Sequence, residues 1–477
     1  MFKSSMSLSV LAASLILAGC SSPGPDYQRP VLELPASAVR DDAQSATALR
    51  EWWHRFGDPV LDQLMTEATQ NNQDLQLAAA RVAEAQALSD TAHAGRLPTL
   101  DASMSATKLR VSRDAGKLAP GASPFARDYQ PALTASYEVD LWGKLASADQ
   151  AARARLLAQS ANRATVQSTL YSNLAQAYFS LRANDASLTL AESILKTREE
   201  NLHLQQKRYR SGSIGEPDLH VAESEAAAAQ ISLAQAKQAL ALSESALAVL
   251  LGRSPAAIMH PVLPRGQGID ALYQQAVLPS DLPSDLLERR PDVLAAEQSL
   301  MAANADIGQA KAQYFPSIKL TSSIGYEAGA LRDLFSPSAL MWNLGANIAQ
   351  PLFHGGAIRA GVEAAEARKA QATAQYVQTV QGAFRDVHDA LTNAEANQSV
   401  YQSSLRRVTA LKDTLRLTEL RYNNGYSGYL EVLSAQRDLS QAQFGLIDTQ
   451  RSHLNALVGL YKAVGGGWDT TLQKPVR

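Results

Sequence analysis

Cysteine occurs once in 477 residues, so no intramolecular disulfide and no Cys-rich zinc or iron–sulfur site is available. Aromatics are scarce at 6%, while the 46% apolar share leans on Ala and Leu; that balance suits long, closely approaching helices better than a compact enzyme core. No excess charge of one sign exists: 44 Lys and Arg against 46 Asp and Glu give a net −2, which leaves no basic surplus for a phosphate backbone. Nucleic acid is therefore not an expected partner. No mature segment reaches the ~20 consecutive apolar residues that a transmembrane helix needs, so any membrane span must be made of strands. Catalytic signatures are missing as well: there is no His-Glu-x-x-His, Gly-x-Ser-x-Gly, Walker loop or dinucleotide fingerprint. Histidines such as His54, His203, His220, His354, His388 and His453 stand isolated, and seven scattered methionines give no support to dedicated copper or silver binding. The expectation is a protein that is not an enzyme and needs no metal or cofactor.

The N-terminus is an address. Lys3 precedes an apolar run from Leu8 to Leu17, the length of a signal-peptide core and too short to span a bilayer. Leu17, Ala18 and Gly19 lead into Cys20, which resembles a bacterial lipobox. That match implies a signal peptide over 1–19, cleavage before Cys20, and a diacylglycerol and an N-acyl chain such as palmitate on that cysteine. Ser21 follows where an Asp would suggest retention at the inner membrane, so by analogy with bacterial lipoproteins the protein belongs at the outer membrane.

The chain repeats itself. Arg208, Tyr209, Gly212, Gly215 and Asp218 fall, at one constant offset, on Arg421, Tyr422, Gly425, Gly428 and Glu431. Asp74, Ala78 and Pro98 match Asp292, Ala296 and Pro316 at a slightly different offset. Two duplicated halves follow, far longer than a solenoid repeat. In each, helical spacing gives way to two-residue alternation and then returns. Residues 60–95 read as a helix, about 99–107 and 131–142 as strands around a polar loop over 108–130, 146–210 as a very long helix, and 218–251 as a second helix. The second half replays this with a helix from Pro291, strands at about 316–327 and 340–353, a long helix to about Asn424 and a last helix ending near Gly465. The boundaries are thus a lipidated extended segment 20–59, repeat 1 over 60–251 with its tip turn at 208–218, a Pro- and Gly-rich connector 252–290 with a short helix at 270–277, repeat 2 over 291–464 with its tip turn at 421–431, and a tail 465–477.

Four strands with one apolar face cannot close into a membrane barrel, whose smallest forms have eight strands. Three chains supply twelve, with apolar side chains toward lipid and polar ones toward water. The fold class expected is therefore mainly α with a membrane β-barrel: an internally duplicated chain, four strands per protomer completing a 12-stranded trimeric barrel continued by a long α-helical barrel. A small soluble sheet beneath coiled coils is the competing reading of the same alternation.

The residues match a known family at many points: Cys20 with Pro25-Asp26-Tyr27-Gln28-Arg29-Pro30; Trp52-Trp53 to Phe56-Gly57-Asp58-Pro59; Leu282 through Arg289, Arg290, Pro291 and Asp292; Phe315-Pro316-Ser317; Gln350-Pro351-Leu352-Phe353; and both Arg-Tyr turns. Over essentially the whole mature chain it resembles the TolC-like outer membrane efflux proteins, in particular their lipoprotein branch. The resemblance implies a homotrimeric duct in the outer membrane lipid, docked to a periplasmic membrane fusion (adaptor) protein and through it to an inner-membrane RND-type pump, passively exporting drugs and other small toxic compounds. It places the reversal turns (Arg208, Tyr209, Gly212, Arg421, Gly425) at the periplasmic tip and assigns Asp218, Tyr422 and Glu431 to the gate. Two positions depart from the family pattern: the gate arginine falls at Ser427, and an acid common after Glu431 is Ser434. A simpler account of Asp218 and Glu431 is macrodipole stabilisation at helix N-termini. A lipid-anchored helical tether that conducts nothing and a protein-secretion duct are the alternatives.

Overall fold

In a computed structural model, residues 23–33, 49–112, 114, 119, 121–276 and 290–468 are described. The leader, Cys20, residues 277–289 with the Leu282 to Arg289 part of the family motif, and the tail from 469 lie outside the described residues. The chain divides into two compact units, one of Met1–Leu32, Val82–Gln159 and Ala296–Val377, the other of Glu33–Arg81, Ser160–Ala295 and Gln378–Arg477.

The first unit holds the strands. β1 (Thr99–Arg110), β2 (Phe125–Val139), β3 (Ser317–Tyr326) and β4 (Leu340–Ala349) form one antiparallel sheet in the order β1-β2-β3-β4. The ladders run without a bulge from Thr99 opposite Ser136 to Arg110 opposite Phe125, and from Ser317 opposite Ala349 to Tyr326 opposite Leu340. Strict alternation therefore sorts side chains onto two faces. Leu100, Leu133, Ile324, Trp342, Leu344 and Ile348 share one face, and all are solvent-exposed, Trp342 and Leu344 at 75%. Asp101, Thr134, Ser323 and Asn343 share the other. Among the described residues β1 and β4 are edges with no further partner strand.

The strand ends differ from expectation. The loop expected at 108–130 shrinks because Lys108 to Arg110 pair with Phe125 to Arg127, continuing the ladder past the point where apolar alternation stops. At the other end β2 stops at Val139 rather than 142: Asp140 turns to accept a 2.7 Å hydrogen bond from the Ala146 N–H, capping the next helix. β4 likewise ends at Ala349, before Pro351, which has no N–H for a ladder.

Helices recur in matched lengths. α1 (Pro59–Asn71) and α2 (Gln73–Ala94) replace the single helix expected over 60–95. The stripe is apolar on both sides of the break, but the Asn72 side chain accepts from the Asp74 and Leu75 N–H groups and donates to the Leu250 carbonyl, ending one helix and capping the next. α3 (Lys144–Arg210) and α8 (Ala357–Asn423) are 67 residues each, ~100 Å at 1.5 Å per residue. α4 (Glu216–Leu250) and α9 (Tyr429–Ala463) are 35 each, and α2 and α7 (Pro291–Ala312) 22 each. Buried Ala151, Ala154 and Ala158 in α3, and Ala365, Ala383 and Ala394 in α8, let neighbouring backbones approach closely. In the connector, α5 (Pro255–Met259) was not anticipated, and α6 (Ile269–Gln275) begins one residue before the expected helix.

The second unit has an aromatic core to which Trp52, Trp53 and Phe56, expected in the extended segment 20–59, contribute a helical turn. Trp52 to Phe56 form a 3-10 turn in which Trp52 stacks on Tyr461 (5.4 Å, 9°), Trp53 meets Tyr171 edge-on at 4.6 Å and Phe56 meets Phe179 at 4.9 Å. Asp58, fully buried, caps α1 through the Val60 N–H and also accepts from the Tyr178 hydroxyl (2.6 Å) and the Gln267 N–H. Three hydrogen bonds offset the cost of burying that carboxylate. The Tyr178 hydroxyl is pushed above its ordinary pKa by burial and by Asp58. Trp468, in the expected tail, is 5% exposed and belongs to the same unit.

Candidate functional site

Both reversal turns have one design. At the end of α3 the Ser213 N–H bonds to the Arg208 carbonyl and the Gly212 N–H to that of Tyr209; at the end of α8 the Tyr426 N–H bonds to the Arg421 carbonyl and the Gly425 N–H to that of Tyr422. This is a Schellman closure, and it needs a left-handed residue, which Gly212 (φ 69) and Gly425 (φ 78) supply without a Cβ penalty. The repeated Arg-Tyr-x-x-Gly text is thus first a helix-ending device.

Its side chains then separate in role. The Arg208 guanidinium donates to the Tyr422 hydroxyl and lies 5.8 Å from the centre of the same ring, joining α3 to α8. Tyr422 faces Tyr429 at 5.8 Å, on the first turn of α9. Arg421 reaches the Tyr426 carbonyl only at 3.5 Å, and Tyr209 is exposed. Asp218 and Glu431 occupy the first turns of α4 and α9; both are exposed, and among the described residues neither carboxylate has a hydrogen-bond or ion-pair partner. Among the described residues the buried Ser427 hydroxyl has no hydrogen-bond partner, so the position where the resemblance implies a gate arginine contributes no bond. Of the three expected gate residues, only Tyr422 has a side-chain hydrogen bond among the described residues.

A second tie was not anticipated. Arg198, 5% exposed, is bonded to Gln436 at 2.5 Å and paired with Glu225 at 3.5 Å, and Glu225 also pairs with Arg437 at 2.7 Å. A buried guanidinium is tolerated only with such partners. α3, α4 and α9 are bound together by this group, ~18 Å along α3 from the reversal. Burial pushes the neighbouring Tyr429 hydroxyl above its ordinary pKa, against the opposing effects of Gln205 and Arg198. Ala191, Arg198 and Gln205, all buried, recur every seven residues, and that spacing was the available signal.

The remaining family motifs have identifiable work. Arg29 bonds Glu297 through two nitrogens (2.7 and 2.6 Å), Tyr27 donates to the same carboxylate, and Asn304 holds the Pro25 carbonyl, strapping residues 24–29 onto α7. Arg290 is nearly buried and spans Asp292, Asp386 and the Ala463 carbonyl. Trp142 donates to the Pro316 carbonyl and stacks on Phe315 at 4.8 Å where strands meet helices, the level at which membrane barrels carry aromatic girdles. Among the described residues no helix is long and apolar enough to cross a membrane, and no cluster of His, Cys, Asp or Glu stands ready for a metal ion.

A sheet apolar on one exposed face and polar on the other, in a chain otherwise built of long helices, has the make-up of a subunit of an outer membrane channel. The profile of the family described as "Outer membrane efflux protein" matches residues 64–253 and 282–466. The chain belongs to the outer membrane efflux protein family, and its place is the outer membrane. It is 35% identical over 472 residues to the solvent efflux pump outer membrane protein SrpC of Pseudomonas putida, covering 96% of this chain and 98% of that one. It is 34% identical over 474 residues to the probable outer membrane lipoprotein SilC of Salmonella typhimurium, covering 98% and 100%. Among solved structures, CusC, described as forming a transmembrane channel, superposes with TM-score 0.83 at 33% identity over 94% of this chain and all of that one. The open-state MtrE channel of Neisseria gonorrhoeae gives 0.81 at 30% identity over 94% and 98%. These relatives favour a channel serving efflux over a non-conducting tether.

Proposed function

We propose that three copies of this chain form the gated exit duct of a tripartite efflux pump. The observation that carries the reading is the sheet: four strands, two unpaired edges and one apolar face. In a bilayer an open edge leaves backbone groups unsatisfied at several kcal/mol each, so the edges must pair with other copies, and twelve strands make the smallest assembly with a conducting lumen. The helices then form the periplasmic conduit, and the reversal turns its inner end, where an adaptor protein and through it an RND-type pump would dock. The duct is passive: the pump supplies energy and chooses the cargo, here drugs and other small toxic compounds.

At that end three copies of Glu431, with Asp218, would ring the axis; crowded carboxylates attract cations and repel one another. Arg208 and Tyr422 would hold the helices in the closed arrangement. Anchoring fits the N-terminal strap. A Cβ on Gly308 would lie 3.2 Å from the Gly24 Cα, so the strap packs closely on α7 just after the expected acylation site.

Single-channel recording of the detergent-extracted protein, with its subunit count from the same preparation, tests the reading. Trimers giving small cation-selective openings are expected, with reduced cation preference in Glu431→Gln. A silent protein that binds lipid only through Cys20 would favour the tether instead.

A further inference from the structure

On the apolar face of the β1–β2 hairpin the side chains change character toward the loop end. Successive cross-strand pairs on that face are Ala102 with Leu133, Met104 with Pro131, Ala106 with Tyr129, Lys108 with Arg127, and Arg110 with Phe125. Apolar pairs thus give way to an aromatic and then to cations. Tyr129, whose backbone is bridged to Ala328, stands two residues further along than Tyr326, whose ring meets that of Phe335 edge-on at 5.4 Å. Aromatic girdles mark the boundary between hydrocarbon and headgroups, so Lys108, Arg127 and Arg110 project outward into the headgroup layer just beyond it, on the side away from the helices.

The arrangement is unfavourable by itself. Lys108 stands directly opposite Arg127, and like charges in that position are destabilising. Among the described residues no ion pair joins Lys108, Arg110 or Arg127 to a carboxylate; the near acid, Asp128, alternates onto the polar face opposite Thr107. All three cations are exposed, and Arg110 lies 5.7 Å over the Phe125 ring, which fixes its direction. Cations on edge strands also discourage misassembly, but Arg127 lies on β2, an interior strand, where that purpose is absent.

We propose that Lys108, Arg110 and Arg127 form a binding surface for a phosphorylated glycolipid of the outer leaflet, the lipid's phosphates lying between the cations while its acyl chains cover Met104, Leu133 and Ile324. The fit rests on charge complementarity and on continuity with the apolar face below. It also rests on the reading of the sheet as barrel wall, and the test separates the two.

Purified protein is titrated with diphosphoryl lipid A and with its dephosphorylated form, and each variant is recorded in planar bilayers. The wild type should prefer the phosphorylated lipid, and the preference should weaken with salt. Lys108→Gln/Arg110→Gln/Arg127→Gln should bind it on the order of 100-fold more weakly, since each cation contributes roughly fivefold at an anionic surface. Arg127→Lys, which keeps the charge, should bind nearly as the wild type does. A triple variant that conducts normally and loses the lipid supports the site. Undiminished binding by that variant, or equal binding of dephosphorylated lipid, overturns it; displacement by millimolar inorganic phosphate overturns the lipid as ligand in favour of a free-anion site. A wild type that binds the lipid but forms no channel would sink the barrel reading alone.

Discussion

Tyr422→Phe removes one atom from the reversal region and leaves the ring. The lost oxygen is the acceptor of the Arg208 guanidinium, while the cation remains 5.8 Å from the ring centre. Both residues are half-buried, so the bond is partly screened and its loss costs about 1 kcal/mol per protomer, near the middle of the range for a single hydrogen bond. If three protomers release together, the closed state loses about 3 kcal/mol, which at 1.4 kcal/mol per decade is on the order of 100-fold in the open-to-closed ratio. Open probability in planar bilayers should rise accordingly, and cells should become permeable to antibiotics normally too large to enter.

Arg208→Ala removes the bond and the ring contact, so it should open the duct at least as far. The double variant should open it scarcely further than Arg208→Ala, because both substitutions break one interaction. Additive effects would mean that the two residues act separately. Unchanged open probability in Tyr422→Phe would refute the argument outright: it would show that Arg208 and Tyr422 stay bonded while the duct opens, so that the pair only stitches α3 to α8.

Other substitutions discriminate between roles. Gly252 and Gly212 both have φ near +70°, but a Cβ on Gly252 would sit 2.1 Å from the Asn71 carbonyl oxygen whereas one on Gly212 meets open space. Gly252→Ala should abolish assembly, while Gly212→Ala should cost only the left-handed penalty of about 1–2 kcal/mol, both read by thermal melts. Burial holds buried His453 below its ordinary pKa of 6.5. The unfolded chain therefore takes up a proton before the folded one does, and stability falls as pH drops through 6.5 toward the folded value. His453→Phe, beside Tyr273, should flatten that slope, and an unchanged slope would assign it to other groups. Glu297→Gln should release the N-terminal strap, seen as faster proteolysis around residues 24–33; unaltered cleavage would show that Asn304 and Gly308 suffice to hold it.

What was legible in the sequence was what is local. Helical and two-residue periods reach only a few residues, so Leu133 to Val139 and Leu340 to Ile348 announced their strands and faces unaided. The alternation failed where the face stayed the same but its chemistry changed: Lys108, Arg110 and Arg127 occupy outward positions as surely as Leu100 does, yet their charge made them read as loop. Asn72 escaped notice for the opposite reason, because an apolar stripe continued through a break made by hydrogen bonds to a distant carbonyl. Trp52 to Phe56 showed no period at all, and their partners Tyr461, Tyr171 and Phe179 lie more than a hundred residues away.

Duplication carries information that periodicity does not. The offset that relates Gly212 to Gly425 also relates Gly252 to Gly465, and all four close helices in the left-handed conformation with the same pair of backbone bonds. It likewise relates the limits of α3 to those of α8, and of α4 to those of α9. Against that constancy the differences between the halves locate what has been specialised. The first hairpin is longer than the second and carries the paired cations at its outer end. At the turns, Arg208 of the first repeat meets Tyr422 of the second, although each repeat carries both an arginine and a tyrosine there. Two copies of one helix-ending motif thus supply a donor from one half and an acceptor from the other, and a change in either repeat alone is enough to alter how α3 and α8 are held together.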